Sequence, residues 1–313
     1  MKVSLVITVL NEDKTIDGFL DSVGNQSLKP DEVIVVDGGS DDWTMEKLQK
    51  RNIKDLNLIV ILEPGSNRSQ GRNAGVKIAK NEIIAFTDAG CILDENWLEE
   101  IVKPFSDPKV EVTAGYYKGR YQTIFEKCVI PYVLVMPDEV DENNFYPASR
   151  SMAIRKETFW RMGGFPENIS DNEDFVFANN LAKNGIKPTF VKKAIVSWIP
   201  RSNLKSFVTM IFRFARGDAQ AGLRYGKALT YFLRYFIFIL YAVFSFYKIF
   251  KNNYYLLFVP VFLYFIWAIL KNYRYVKDIK AFFWLPVLQV SSDFAVMFGT
   301  VEGLLSHNEK NPN

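Results

Sequence analysis

The sequence contains little histidine and little cysteine, and these absences exclude whole classes of catalytic site. Its 313 residues include one histidine, His307, and two cysteines, Cys91 and Cys128. A Ser-His-Asp triad and a histidine metal cluster both need histidine beside other functional groups, so a single histidine in the tail excludes them. The two cysteines lack metal-ligand spacing and are expected to be free thiols in a reducing compartment.

Two common nucleotide-binding motifs are also missing. No GxGxxG follows the first apolar run, and no Lys-Ser or Lys-Thr follows the glycine pair Gly38 and Gly39 at P-loop spacing. Kinase-like and NAD-dependent functions therefore lose their main support. The apolar run after Met1 and Lys2 is ended by polar residues too soon for a signal peptide, so none is expected.

What the sequence does contain is a series of short apolar runs, rich in β-branched residues, that alternate with helical stretches. The runs cover residues 3–9, 32–36, 57–62 and 82–87, and a helix is predicted at about residues 69–79. Continuous apolar runs of this kind are typical of parallel strands buried on both faces. The sequence therefore predicts an α/β fold, with a mostly parallel sheet and helices on both faces.

Polar residues follow three of these runs at the point where each strand ends. Asn11 and Glu12 follow the first run, Asp37 the second and Asp88 the fourth. Because ligands bind beyond the carboxyl ends of strands in open parallel sheets, we expect these side chains to converge on one crevice. Any one of them is equally well interpreted as an ordinary turn residue.

Several short motifs occur in an order that resembles family 2 glycosyltransferases with the GT-A fold. They are residues 6–12 (VITVLNE), 32–40 (EVIVVDGGS), 71–75 (GRNAG), 87–90 (TDAG), 163–165 (GGF) and 172–174 (NED). The resemblance implies a Rossmann-like catalytic domain that binds a UDP- or GDP-sugar and transfers the sugar with inversion. It also implies a divalent cation, Mg²⁺ or Mn²⁺, as cofactor.

The resemblance assigns roles to individual residues. The residues implied to bind the donor are Leu10, Asn11, Glu12, Asp37, Arg72, Asp88 and Ala89. Asp88 would occupy the first position of the DxD element and bind the metal. Asp174 would be the general base that removes the proton of the acceptor hydroxyl. On the acceptor side we expect Arg150, Ser151 and Glu173.

Two of these assignments have an alternative or a weakness. The second carboxylate of the DxD element is replaced by Gly90. Divalent cations of this kind need several oxygen ligands, so a metal at Asp88 would depend on the substrate phosphates and water. Asp174 also has a structural interpretation, as the cap of a helix that runs toward Lys183.

The last third of the chain carries three long apolar segments, at about residues 229–247, 254–270 and 281–305. Their lengths are near the roughly 20 residues that span a bilayer, and flanking Tyr and Trp residues favour transmembrane helices over buried helices of a soluble domain. Asp293, in the third segment, should face another helix or the acceptor. The distribution of Lys and Arg predicts a multi-pass protein of the cell membrane with a cytoplasmic catalytic domain.

The predicted domains are a catalytic domain at residues 1–202, an interface region at 203–228, three transmembrane helices within 229–305 and a tail at 306–313. Apolar residues at helical spacing among cations predict that the interface region lies along the membrane surface. Its segment 212–218 (FRFARGD) resembles an element of membrane-anchored relatives. Arg213 and Arg216 would contact either the donor diphosphate or lipid headgroups.

These features predict an inverting transferase that acts on a lipid-linked acceptor at the cytoplasmic membrane face, with a saccharide hydroxyl favoured. One alternative acceptor is polyprenyl phosphate, which is already ionised and needs no base. A second alternative is a noncatalytic membrane protein that binds a nucleotide sugar, which only Gly90 favours. Membrane lipids are expected as partners, and nucleic acid is not.

Overall fold

The computed structural model describes residues 1–50, 56–169, 171–249 and 258–310. The chain forms two compact units, one of Met1–Arg120 with Leu134–Ile199 and the other of Tyr121–Val133 with Pro200–Asn313. The boundary predicted at residue 202 lies near Pro200, where the chain passes from the first unit to the second for the last time. Nothing in the sequence pattern indicated that Tyr121–Val133 leaves the first unit.

The first unit contains an eight-stranded sheet with the order β3-β2-β1-β4-β7-β6-β8-β5. Its strands are β1 Val3–Val9, β2 Glu32–Asp37, β3 Leu58–Leu62, β4 Ile83–Phe86, β5 Cys91–Leu93, β6 Val112–Gly119, β7 Met152–Arg155 and β8 Thr189–Trp198. The first four strands are parallel, as predicted. Beyond β4 the sheet is mixed, because β7 is antiparallel to both of its neighbours and β5 is antiparallel to β8.

Helices cover both faces of this sheet, which confirms the predicted layers. The helices are α1 Ile16–Gly24, α2 Thr44–Lys50, α3 Arg68–Ile78, α4 Trp97–Val102, α6 Lys156–Arg161 and α7 Glu173–Lys183. Alternate residues of β1 pack into hydrophobic clusters on opposite faces of the sheet, since successive side chains of a strand point to opposite faces. Leu5 packs in the cluster that contains Phe19 of α1, whereas Val6 packs in the cluster that contains Val76 of α3.

The second unit is helical. Its helices are α5 Ile124–Val133, α8 Leu204–Gln220, α9 Tyr225–Ile249, α10 Val259–Val276 and α11 Ala281–Lys310. Among the described residues, one segment, Ala281–Ser306, is long and apolar enough to cross a membrane, and a shorter apolar helix covers Ala228–Phe244. This finding supports one membrane-spanning helix and does not support the expected multi-pass arrangement. Residues 254–257 of the second predicted segment lie outside the described residues.

Helices α8 and α11 pack so closely that two positions of α11 require glycine. A Cβ atom at Gly299 would lie 2.3 Å from the backbone oxygen of Phe212, and one at Gly303 would lie 2.5 Å from that of Arg216. Gln220 Nε2 donates a hydrogen bond to Ser306 Oγ at 2.9 Å. From one contact to the next, the residue numbers rise in both helices, so α8 and α11 run side by side in the same direction.

Asp293 of α11 is fully buried, which confirms that it faces neighbouring helices. Its Oδ1 accepts a hydrogen bond from Gln289 Nε2 at 2.8 Å, and its Oδ2 accepts one from the Tyr235 hydroxyl at 3.1 Å. The hydroxyl of Tyr264 and Nη1 of Arg234 also donate to Oδ2. Residues of α9, α10 and α11 therefore surround one carboxylate.

Candidate active site

Hydrogen bonds tie together the loops that follow β1 and β2. Asn11 has a left-handed backbone with φ of 57°. Its N–H donates to Ser40 Oγ at 2.9 Å, and its Oδ1 accepts from the N–H of Asp41 at 3.0 Å. The N–H of Glu12 donates to Thr44 Oγ1 at 2.8 Å. The predicted convergence of these strand ends is therefore observed, and the side chain of Asn11 itself holds the loops in place.

Asp37, at the end of β2, is fully buried. Its Oδ1 accepts hydrogen bonds from the N–H groups of Gly39 at 3.0 Å and Ser40 at 2.9 Å. Its Oδ2 is buried and has no hydrogen-bond partner among the described residues. A buried carboxylate oxygen without a partner is unfavourable, so a hydrogen-bond donor on a bound ligand would stabilise it. This environment suits the predicted donor-binding role.

Arg72 joins α3 to the end of β4 and to the start of α7. The side chain is 2% exposed, and its Nη2 lies 3.0 Å from Asp88 Oδ1 while its Nη1 pairs with Glu173 Oε1. Burial alone would lower the pKa of Arg72, but the carboxylates of Glu173 and Asp88 raise it, so the guanidinium is charged. Arg72 was predicted to hold the nucleotide. Its two terminal nitrogens fix Asp88 to α7, and a contact with the nucleotide stays a prediction.

Asp174 lies in the first turn of α7. The residue at the N-cap is Asn172, with φ of 62°, so the interpretation of Asp174 as the helix cap is wrong. Asp174 Oδ2 accepts hydrogen bonds from the Ser149 N–H at 3.3 Å and hydroxyl at 3.5 Å. Ser149 lies just before β7, the strand next to β4. Asp174 is therefore tethered at the edge of the sheet where Asp88 lies.

The three residues predicted on the acceptor side lie in different environments. The hydroxyl of Ser151 is fully buried and accepts a hydrogen bond from Trp97 Nε1 at 2.9 Å. Glu173 is buried in its ion pair with Arg72. Neither group is available to an acceptor, because each is already engaged inside the fold. Only Arg150 of this set is partly exposed.

The remaining predicted donor residues lie at two places. Leu10 is exposed and Ala89 is buried, and both follow strands that end at the crevice. Arg213 and Arg216 belong to α8 in the second unit, where Arg216 Nη1 lies 3.0 Å from Glu302 Oε1 of α11. A contact between these arginines and the donor stays a prediction.

The side chains alone do not form a complete site for a divalent cation. The described residues contain no group of three or more His, Cys, Asp or Glu side chains that could hold a metal ion. Oδ1 of Asp88 is engaged by Arg72. A Cβ atom at Gly90 would meet nothing within 4 Å, so this position leaves open space where the family pattern has a carboxylate. Donor phosphates and water would have to supply the other ligands.

Comparison with known proteins identifies the family. The sequence profile described as glycosyl transferase family 2 matches residues 4–162. The chain therefore belongs to glycosyl transferase family 2, as its motifs indicated. It is 25% identical over 270 residues to the O-antigen chain rhamnosyltransferase RfbN of Salmonella typhimurium, covering 74% of this chain and 82% of the relative.

A second relative carries a more specific name. The chain is 30% identical over 190 residues to the UDP-Glc:alpha-D-GlcNAc-diphosphoundecaprenol beta-1,3-glucosyltransferase WfaP of Escherichia coli, covering 59% of this chain and 72% of WfaP. Family membership and these relatives confirm that the protein is a glycosyltransferase, which weighs against the noncatalytic alternative.

A solved structure supports the fold. The mannosyltransferase PcManGT from Pyrobaculum calidifontis, in complex with GDP-Man and Mn²⁺, matches with a TM-score of 0.58 at 18% identity, over 100% of this chain and 76% of that one. At this identity the likeness bears on the fold alone, and it confirms the predicted GT-A architecture.

Proposed function

We propose that this enzyme transfers a sugar, with inversion, from a nucleoside diphosphate donor to a hydroxyl group of a lipid-linked saccharide at the cytoplasmic membrane face. The observation that carries the proposal is the fixed placement of Asp174. Ser149 tethers it at the edge of the sheet where Asp88 lies. The ion pairs of Arg72 with Asp88 and with Glu173 hold α7 beside that edge.

The proposed reaction uses the carboxylate of Asp174 as a general base. The acceptor oxygen forms a bond to C1 of the sugar, and its proton passes to Asp174. The bond from C1 to the diphosphate oxygen breaks, and its electron pair leaves with the nucleoside diphosphate. The base lies on the face opposite the leaving group, so the acceptor attacks from that face and the configuration at C1 is inverted. Negative charge develops on the departing diphosphate and needs positive charge beside it.

The nature of the acceptor is supported by the relatives and by the second unit. The name of WfaP describes transfer from UDP-Glc to a sugar on diphosphoundecaprenol. The apolar segment Ala281–Ser306 and the basic residues between the apolar segments suit an enzyme that contacts membrane lipids. The mannosyltransferase PcManGT holds Mn²⁺ together with GDP-Man, and a Mg²⁺ or Mn²⁺ ion that entered here with the donor would find Asp88 as its protein carboxylate.

Asp174→Asn tests the proposal, because it keeps the shape of the side chain and removes the base. The full chain in detergent would be given UDP- or GDP-sugars and a membrane lipid extract. We expect transfer to a hydroxyl acceptor to fall by about 10²- to 10⁴-fold, with UDP or GDP affinity and unfolding temperature unchanged. Glu157→Gln is the matched control, since Glu157 is an exposed acid in the first turn of α6.

Three results would contradict parts of the proposal. Unchanged transfer to a saccharide hydroxyl in Asp174→Asn would refute the base assignment. Transfer by the wild type and by this variant to polyprenyl phosphate, but not to saccharides, would identify the alternative acceptor. Failure of the wild type to bind any UDP- or GDP-sugar would refute the donor class.

A further inference from the structure

A second arginine, Arg150, lies near the end of β4, in the turn that precedes β7. Phe86 of β4 pairs with Met152 at the end of the antiparallel ladder, and Asp88 and Arg150 each lie two residues beyond this last pair. The hydroxyl of Thr87 donates a hydrogen bond to the backbone oxygen of Arg150 at 3.0 Å, which fixes this juxtaposition. Arg150 therefore faces the strand end that carries the incomplete DxD element.

The guanidinium of Arg150 lies between two aromatic rings. Its carbon Cζ lies 5.1 Å from the ring centre of Tyr117 and 5.7 Å from that of Trp198. Rings at these positions hold a guanidinium in a defined orientation and favour its charge through cation–π interactions. The head group is thus preorganised at the edge of the crevice.

The protein leaves this guanidinium without a counter-ion. Among the described residues, no carboxylate forms an ion pair with Arg150, and its buried Nε has no hydrogen-bond partner. Arg72, in contrast, is paired with two carboxylates. Burial alone would lower the pKa of Arg150, while Tyr117, Asp88 and Asp174 raise it, so the site carboxylates are near enough to stabilise the charge without pairing with it.

We propose that Arg150 binds the diphosphate of the donor and supplies positive charge that a complete DxD metal site would otherwise supply. The proposal rests on the nucleotide-sugar donor of the proposed function. A planar guanidinium presents paired N–H donors that match phosphate oxygens. A Cβ atom at Gly90 would meet nothing within 4 Å, so this position presents no steric bar to a phosphate near Asp88.

Ligand affinity tests this role without requiring turnover. Dissociation constants of UDP and GDP would be measured by calorimetry on the full chain in detergent, in EDTA and in Mn²⁺, with uridine and guanosine as matched ligands that lack phosphate. In EDTA, Arg150→Gln should weaken binding of the preferred nucleoside diphosphate about tenfold or more, since hydrogen bonds to charged groups are strong. Binding of the nucleoside should not change.

Three further variants keep the test interpretable. Arg150→Lys keeps the charge but not the planar fork, and should give an intermediate loss, which also guards against a folding defect in Arg150→Gln. Arg161→Gln, at an exposed ion pair on α6, is the control and should leave affinity unchanged. In the Gly90→Asp/Arg150→Gln double variant, Mn²⁺ should restore nucleoside diphosphate binding and EDTA should abolish the gain.

The outcomes separate this proposal from the proposed function. If Arg150→Gln binds UDP and GDP as well as the wild type does in EDTA, Arg150 does not bind the donor diphosphate. If the KM for a phosphate-bearing acceptor then rises in that variant, the arginine binds the acceptor phosphate instead, which also overturns the donor assignment. Equal losses for nucleoside and nucleoside diphosphate would overturn it as well. Absence of UDP and GDP binding by the wild type would refute the proposed function itself.

Discussion

Each unit contains a cluster of arginine and carboxylate groups, and the two clusters are organised in opposite ways. In the first unit, Arg72 lies between Glu173 and Asp88, and the side chain of Asp88 is 37% exposed. The Nε of Arg72 has no hydrogen-bond partner in the described part of the chain. In the second unit, one fully buried carboxylate, Asp293, accepts hydrogen bonds at both oxygens, and Arg234 is one of its donors. A cluster left open toward solvent suits ligand binding, whereas one enclosed by its own donors suits the packing of helices.

The largest loss of stability is expected from removing Arg72, the cation of the open cluster that it forms with Asp88 and Glu173. Arg72→Met leaves two carboxylates beside each other without compensation, and should lower the free energy of unfolding by about 3–5 kcal/mol. Thermal or denaturant unfolding of the full chain in detergent would measure it. The matched control is Lys47→Met, which breaks a surface ion pair with Asp17 and should have little effect on stability.

A second substitution should rescue part of this loss. In Arg72→Met/Glu173→Gln the buried charge is removed with its partner, so the double variant should be more stable than Arg72→Met alone. If Arg72→Met is no more destabilising than Lys47→Met, the ion pairs of Arg72 do not hold α7 in place.

Removing the charge of the enclosed cluster should have a smaller effect. Asp293→Asn retains the shape and one of the two acceptor oxygens, and Arg234 keeps its contacts with the rings of Tyr231, Tyr264 and Trp267. We expect the free energy of unfolding to fall by about 1–3 kcal/mol. Glu302→Gln changes an exposed acid on the same helix and should have less effect. A loss in Asp293→Asn greater than in Arg72→Met would reverse the comparison.

The smallest change in stability is expected at Gly90, which lies two residues after Asp88 of the open cluster. Gly90→Ala adds a Cβ that meets nothing within 4 Å, so the free energy of unfolding should change by no more than about 0.5 kcal/mol. Gly164→Ala is the contrasting variant, because Gly164 has φ of 71° and its Cβ would lie 2.9 Å from Asn73 Oδ1. A large loss in Gly90→Ala would show that this space is needed by the fold.

The parts of the site that could be predicted from the sequence are local ones. The ends of β1, β2 and β4 were located by apolar runs and the polar residues after them. The ion pair between Arg72 and Glu173 joins residues 101 positions apart, so no periodicity reveals it. The pairing of β7 with β4, which brings Arg150 to Asp88, likewise depends on distant partners.

The incorrect acceptor prediction for Ser151 has a simple physical reason. Successive side chains at a strand point to opposite faces, and a sequence does not reveal which face meets the crevice. Arg150 lies at the crevice side and stacks on Trp198, whereas the hydroxyl of Ser151 points into the core toward Trp97. Neighbours in the sequence were therefore given one role, although only Arg150 lies on the crevice side.

The glycine contacts between α8 and α11 link the orientations of these two helices. Backbones that approach this closely at Gly299 and Gly303 share one axis direction over residues 212–220 and 299–306. If Ala281–Ser306 stands upright in a membrane, α8 stands beside it and does not lie flat on the surface. If α8 lies flat, the C-terminal part of α11 lies flat with it. A single tilt angle therefore describes both helices.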